Sequence, residues 1–268
     1  MTKFAGSALP LLGLLLCAGC ASVPEGAPSV PGDGFSAVRD QAHYQVRVRP
    51  GEAAWPASPV FRLPEASILD GAHDDSITAS QAGVVANHAA RSVCVTLAPW
   101  VRWVTAEDGG KIALELNRIG ASSSAMATTS ALLAMVVPGP FRLPAGLGGL
   151  GLATRVEDAA GSPVLDMQWA RGANPLLHRA RASSIGDAWE LAPSSARDLR
   201  AALRLSEKAR QPNDIQAANI AACEERFGSV SLAGRAASML LPMSPEAIDP
   251  SDNEPTPQPP PTPPTPTP

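Results

Sequence analysis

Few residues in this 268-residue chain have both the type and the spacing that chemistry requires. Thiols come from Cys17, Cys20, Cys94 and Cys223; a thiol can carry a thioether, pair with another thiol or ligate a metal. The histidines are His43, His73, His88 and His178. A metal centre needs three or four ligands held in one geometry, and none of these histidines stands at ligand spacing from another. The run His73-Asp74-Asp75 therefore reads as a solvated turn before a helix. Gly146 to Gly151 (GLGGLG) has the composition of a phosphate cradle. That mechanism requires a strand before the loop and a helix after it, with the helix N-terminus facing the phosphate. Here a strand is expected to follow and no Lys-Ser/Thr pair is present, so the run reads as a flexible approach to a strand. The serines form no G-x-S-x-G elbow. Gly120-Ala121-Ser122-Ser123-Ser124 is a small-residue run after a strand, and no spacing draws it toward His88 or His178. The sequence assigns no catalytic residue, no metal ligand and no cofactor site.

The cysteines carry more. Lys3 gives a short positive start, Leu9 to Leu16 (LPLLGLLL) an apolar run, and the small residues Ala18 and Gly19 precede Cys20. The apolar run is far shorter than the roughly 20 residues a permanent membrane-crossing helix needs. Cys17-Ala18-Gly19-Cys20 resembles the lipobox of bacterial lipoproteins, with Cys17 where leucine is usual. The chemistry needs small residues beside the scissile bond and a thiol at the new N-terminus to carry a diacylglycerol thioether. The resemblance implies cleavage before Cys20 and three acyl chains on it; one chain anchors only marginally, whereas more hold stably. Ala21 rather than Asp after the cysteine implies sorting to the outer membrane. An ordinary signal peptide with a chance cysteine is the plainer alternative.

Cys17 leaves with the signal and Cys20 takes lipid, so Cys94 and Cys223 remain. An oxidising envelope favours pairing them, the alternative being two buried free thiols. A bridge would close a loop of about 130 residues, worth up to about 4–5 kcal/mol in the chain-entropy model.

Composition bounds the rest. Positions 34–242 carry 20 Lys+Arg and 19 Asp+Glu, so the body of the chain is near neutral and its acidity lies at the ends. No basic stripe is interleaved with aromatics, which disfavours nucleic acid as a partner. Residues 20–33 are rich in Pro, Gly and Ser and read as a flexible tether. Pro255 to Pro268 holds nine prolines in fourteen residues and reads as solvated polyproline II at the end of a disordered tail over 243–268. What lies between, 34–242, has the length of one domain.

Within it, Val60 to Leu69 has strand character, with Pro64 marking an edge or bulge. Thr78 with Gln81 forms a capping-box pattern, and Ala82, Val85, Ala89, Val93 and Thr96 keep helical spacing up to Pro99. Trp100 to Thr105 reads as a strand. Lys111 to Ile119 alternates, with Ile112, Leu114 and Leu116 on one face. Ala125 to Val137 is apolar but too short to span, and reads as a buried connection or a docking patch. Leu150 to Glu157 and Val164 to Trp169 form a hairpin around Asp158-Ala159-Ala160-Gly161, where glycine can take a positive φ. Ser184 with Asp187 opens a helix whose apolar side is Ala188, Leu191, Ser195, Leu199 and Ala202, kinked or restarted at Pro193. A last helix runs from Asp214 to Arg226, with Ile220, Cys223 and Phe227 on one face. The expected fold class is α/β (α+β): one small domain with a mixed, partly antiparallel sheet packed by two or three helices.

The order of these segments resembles the bacterial lipoproteins grouped as domain-of-unknown-function 3313. The resemblance covers about 60 to 205. It runs through FRLPEASIL, the helix leading to WVRWV, KIALELNRI, the hairpin ATRVEDAAGSPVLDMQW, WARGAN and SIGDAWELAPSSARDLRAAL. The sequence departs from that pattern at Thr154, where an acidic residue is expected, and at Pro193. The family has no established activity, so the resemblance implies a fold and a location and adds no catalytic residue. The expectation is an envelope lipoprotein without enzymatic activity, held to the periplasmic face of the outer membrane by lipid on Cys20. It would bind another envelope protein or a cell-wall component; a competing reading makes the proline tail the functional part, as a wall-spanning spacer or peptide ligand. An envelope hydrolase with an unrecognised constellation is the alternative.

Overall fold

The computed structural model describes residues 33–57, 59–105, 109–123, 147–174, 183–229 and 244–249. The leader, the lipobox with Cys20, most of the tether, the apolar run 125–137, His178 and the proline tail lie outside the described residues. Among the described residues the fold is a mixed α+β domain. Its strands are β1 (Ser36–Gln41), β2 (Tyr44–Pro50), β3 (Val60–Arg62), β4 (Glu65–Ile68), β5 (Arg102–Val104), β6 (Lys111–Gly120), β7 (Gly149–Glu157) and β8 (Pro163–Gly172). Its helices are α1 (Ala79–Leu97), α2 (Gly186–Ala202), α3 (Asn213–Phe227) and the single turn α4 (Pro245–Ile248).

Six strands form one sheet in the order β1-β2-β8-β7-β6-β4, antiparallel except for the parallel pair β4–β6. Alternation explains its core face. Ile112, Leu114 and Leu116 of β6 are buried beside Leu150, Leu152 and Val156 of β7 and Leu165, Met167 and Trp169 of β8. A register shift between Leu116 and Arg118 then turns Ile119 inward, a bulge that simple alternation does not contain. The hairpin forms at the expected turn: Gly161 has φ +80°, and Asp158 Oδ1 accepts from the backbone N–H of Ala160 and of Ser162. Val60 to Leu69 is two strands, not one. Pro64 cannot donate to a ladder, and across it the chain leaves β3, paired in parallel with β5 in a second small sheet, for β4 in the main one.

The helices pack on the core face. α1 begins at the capping box, with Gln81 N–H donating to Thr78 Oγ1 and Thr78 N–H to Gln81 Oε1. It is buried far around its circumference, from Ala82 to Leu97, because sheet and other helices both contact it. α2 starts differently from the Ser184 expectation. Ile185 is its N-cap, and Asp187 N–H donates instead to Ser122 Oγ, from the segment after β6. The helix also continues through Pro193 without restarting. On α3 the inward face carries Asn219, Cys223 and Phe227, while Ile220 is 38% exposed, which corrects the expected face by one residue. The tail boundary shifts as well: Ser244 to Asp249, placed in the tail by composition, is ordered on the helices, with Ile248 and Asp249 buried.

Candidate functional site

Cys94 of α1 and Cys223 of α3 form a disulfide, with Cα atoms 5.8 Å apart and both residues fully buried. The bridge sits beside a polar latch. Asn219, four residues before Cys223, accepts from Trp103 N–H at 3.1 Å and donates to the carbonyls of Ala98 at 2.9 Å and Val101 at 2.6 Å. Its amide thus acts as a further strand beside β5, satisfying backbone groups that would otherwise be buried unpaired. Trp103 Nε1 donates to Cys94 O, so the latch and the bridge share one neighbourhood.

The most concentrated polar group lies where α1, α2 and α4 meet. His88 and Arg91 are three residues apart on α1 and share a face. Arg91 holds Asp249 in a fork, Nη1–Oδ1 at 2.7 Å and Nη2–Oδ2 at 2.5 Å. Trp189 of α2 stacks on the His88 ring at 4.1 Å between centroids and donates Nε1–H to Asp249 Oδ2 at 3.3 Å. His88 Nδ1 lies 2.6 Å from Arg91 Nη2. Arginine has no lone pair, so Nδ1 is the acceptor and carries no proton in this arrangement. It also lies 3.6 Å from Asp249 Oδ2, but the shorter arginine contact decides its role. All four residues are buried. A His beside an Asp suggests a general base, yet the carboxylate is neutralised by a guanidinium and the ring is covered by indole. The group can hold α4 in place; Glu246 adds to the hold by accepting from Gln81 Nε2 and Ser183 Oγ.

A second polar group stands where β2, β8 and α2 meet. The Tyr44 hydroxyl and Trp169 Nε1–H both donate to Asp198 Oδ2, the latter at 2.7 Å. Burial, and then the Asp198 carboxylate, push the Tyr44 pKa up to about 12, so the hydroxyl stays a donor. The guanidinium carbons of Arg39 and Arg171 lie 5.2 and 4.7 Å from the Tyr44 ring centre, from the β1 and β8 sides.

The other residues singled out by type lie apart. His43 is in the β1–β2 turn, where its carbonyl accepts from Gly172 N–H. His73 Nδ1 contacts the Asp74 carbonyl, and hydrogen bonds from Ser76 hold the Asp74 carboxyl below its usual pKa. Among the described residues no three His, Cys, Asp or Glu gather as a metal group. Gly148 to Gly151 is a close-packed strand entry rather than a flexible one: a Cβ on Gly148 would sit 2.5 Å from Gly120 O. Gly148 N–H donates to Asp187 Oδ2, so the glycines and Ser122 together seat the start of α2. A shallow cleft of about 350 Å³ lies against Leu63, Trp103, Val104, Thr105 and Ala222 and presents no titratable side chain. No helix among the described residues is long and apolar enough to cross a membrane.

No family model matches the chain, and no curated protein matches it. Among solved structures, the PelC dodecamer from Paraburkholderia phytofirmans is similar at 11% identity and a TM-score of 0.36, over 61% of this chain and 99% of that one. A point variant of that dodecamer gives 12% identity and 0.38 over the same shares. Likenesses this weak carry no weight for what the chain does.

Proposed function

We propose that this chain is an envelope lipoprotein, held to a membrane by lipid on Cys20, whose folded domain binds another envelope protein or a cell-wall component without catalysing a reaction. The observation that carries the reading is the N-terminal pattern: a basic residue, an apolar run too short to span, and Ala18-Gly19-Cys20. The Cys94–Cys223 bridge supports it, since such bridges form and persist in oxidising compartments. It also leaves Cys20 free for lipid. The resemblance of residues 60–205 to the domain-of-unknown-function 3313 lipoproteins supports the same address and supplies no activity. Ala21 after the cysteine favours the outer membrane, facing the periplasm. Fractionation of cells expressing wild type and Cys20→Ser tests the anchor: wild type should sediment with membranes and the variant should move to the soluble fraction. Retention of Cys20→Ser at the membrane contradicts the reading. Crosslinking in intact cells then tests the binding role, which expects one reproducible envelope partner.

A further inference from the structure

The shallow cleft between the small sheet and α3 is lined by Leu63, Trp103, Val104, Thr105 and Ala222. Its chemistry is narrow. Trp103 Nε1–H is spent on Cys94 O, so the side-chain polar group left to a ligand is the hydroxyl of exposed Thr105. A segment that suits this surface is apolar and uncharged. It brings few backbone N–H groups, because one hydroxyl is all that the side chains offer in return. Proline meets that requirement. It has no N–H, and in polyproline II its backbone is ordered before it docks, which lowers the entropic cost. The sequence itself carries such a segment. Pro255 to Pro268 is nine prolines, four threonines and one glutamine, with no charged side chain.

The place where the tail begins brings it within reach. Arg91 Nη1 contacts Asp249 Oδ1 at 2.7 Å and Gly228 O at 3.4 Å, so Asp249 stands beside the end of α3. Ala222 precedes Gly228 by six residues, which is about 9 Å along a helix. Residues 250–254 span up to about 17 Å when extended, enough to carry Pro255 to the cleft. Charge lies along the same route. Exposed Arg226 is one turn after Ala222 and packs over the Phe227 ring rather than on a carboxylate. Asp252 and Glu254 come just before the prolines, so the path from Asp249 to the cleft takes them past Arg226. Glu225 is its neighbour on α3, so charge guides the segment and the apolar contact holds it.

We propose that this cleft is the dock for the chain's own tail, with part of Pro255–Pro268 lying across Leu63, Val104 and Ala222 as polyproline II and the rest extending beyond. The short tether keeps the segment at an effective concentration of the order of millimolar, so a contact too weak to form between molecules forms within one. The dock does not depend on lipid at Cys20. The test uses the full mature chain carrying Cys20→Ser and Thr262→Cys. With Cys94 and Cys223 bridged, the introduced thiol is the one free thiol, and it takes a nitroxide label. Paramagnetic broadening is read at the methyl groups of Leu63 and Val104, with Val38 of β1 as the reference. The dock predicts loss of the Leu63 and Val104 signals while Val38 keeps its own. Ala222→Arg and Thr105→Arg each put a charge in the cleft and should restore both signals; having two such variants keeps the test readable if one fails to fold. Arg226→Glu should restore them in part. Ile220→Arg, at an exposed position on α3, should leave them lost. Intact Leu63 and Val104 signals in the labelled starting chain, or signals that stay lost in a folded cleft variant, overturn the dock. A loss that fades when the labelled chain is diluted with unlabelled chain puts a second copy's tail in the cleft and overturns the contact within one molecule.

Discussion

Arg91 and Asp249 are buried charges, and each is tolerable only because of the other. Asp249→Ala leaves a guanidinium without its counter-charge inside the helix layer, and the expected loss in urea denaturation is about 3–5 kcal/mol. The double variant Arg91→Met, Asp249→Ala should recover part of that loss, because an apolar pair has no charge to desolvate. Tyr44 offers a second residue-level test, since it is the one tyrosine in the sequence and its ultraviolet absorbance titrates alone. Its pKa should be near 12. Asp198→Asn should bring it down without restoring the ordinary value, because burial is the larger cause. The folded pKa lies above the unfolded one near 10, so this contribution to stability is complete below pH 10 and disappears as pH rises through 12. Neither group was legible in the sequence. Asp249 lies 158 residues from Arg91, in a stretch whose composition reads as tail, and no local spacing connects the two.

Periodicity made the elements far more readable than the contacts between them. The Thr78–Gln81 box, the alternation of Lys111 to Leu116 and the turn at Gly161 are local signals, and each forms as expected. Three features escaped for physical reasons. The bulge after Leu116 changes which face Ile119 takes, and alternation alone carries no sign of it. Pro64 marks a change of sheet, which depends on partners far along the chain. Asn219 looks like an exposed helix residue until β5 brings its unpaired backbone groups beside it. That latch predicts an asymmetry between neighbours on α3. Asn219→Leu should strand a buried N–H and two carbonyls and cost about 1–3 kcal/mol or more in thermal or urea unfolding. Ile220→Ala, one residue away and facing solvent, should stay within about 0.5 kcal/mol.

At the scale of the whole molecule, the cysteines supply the organisation. Cys94 and Cys223 tie α1 to α3 within the domain. The proposed lipid on Cys20 would attach the domain on the β1 side, and the helix layer fixes Asp249, after which the acidic and proline-rich residues follow. Anchor and tail would then leave from different elements, which suits a module that stands on a membrane and presents its other end to a partner. Intact mass analysis of the protein isolated from membranes tests this account most directly. The account predicts a chain that begins at Cys20, with the added mass of a diacylglyceryl group and an amide-linked acyl chain. It also predicts two hydrogens fewer than the reduced chain, for the Cys94–Cys223 bridge. A mature protein with an unmodified Cys20 thiol, or one that begins at another residue, would contradict it.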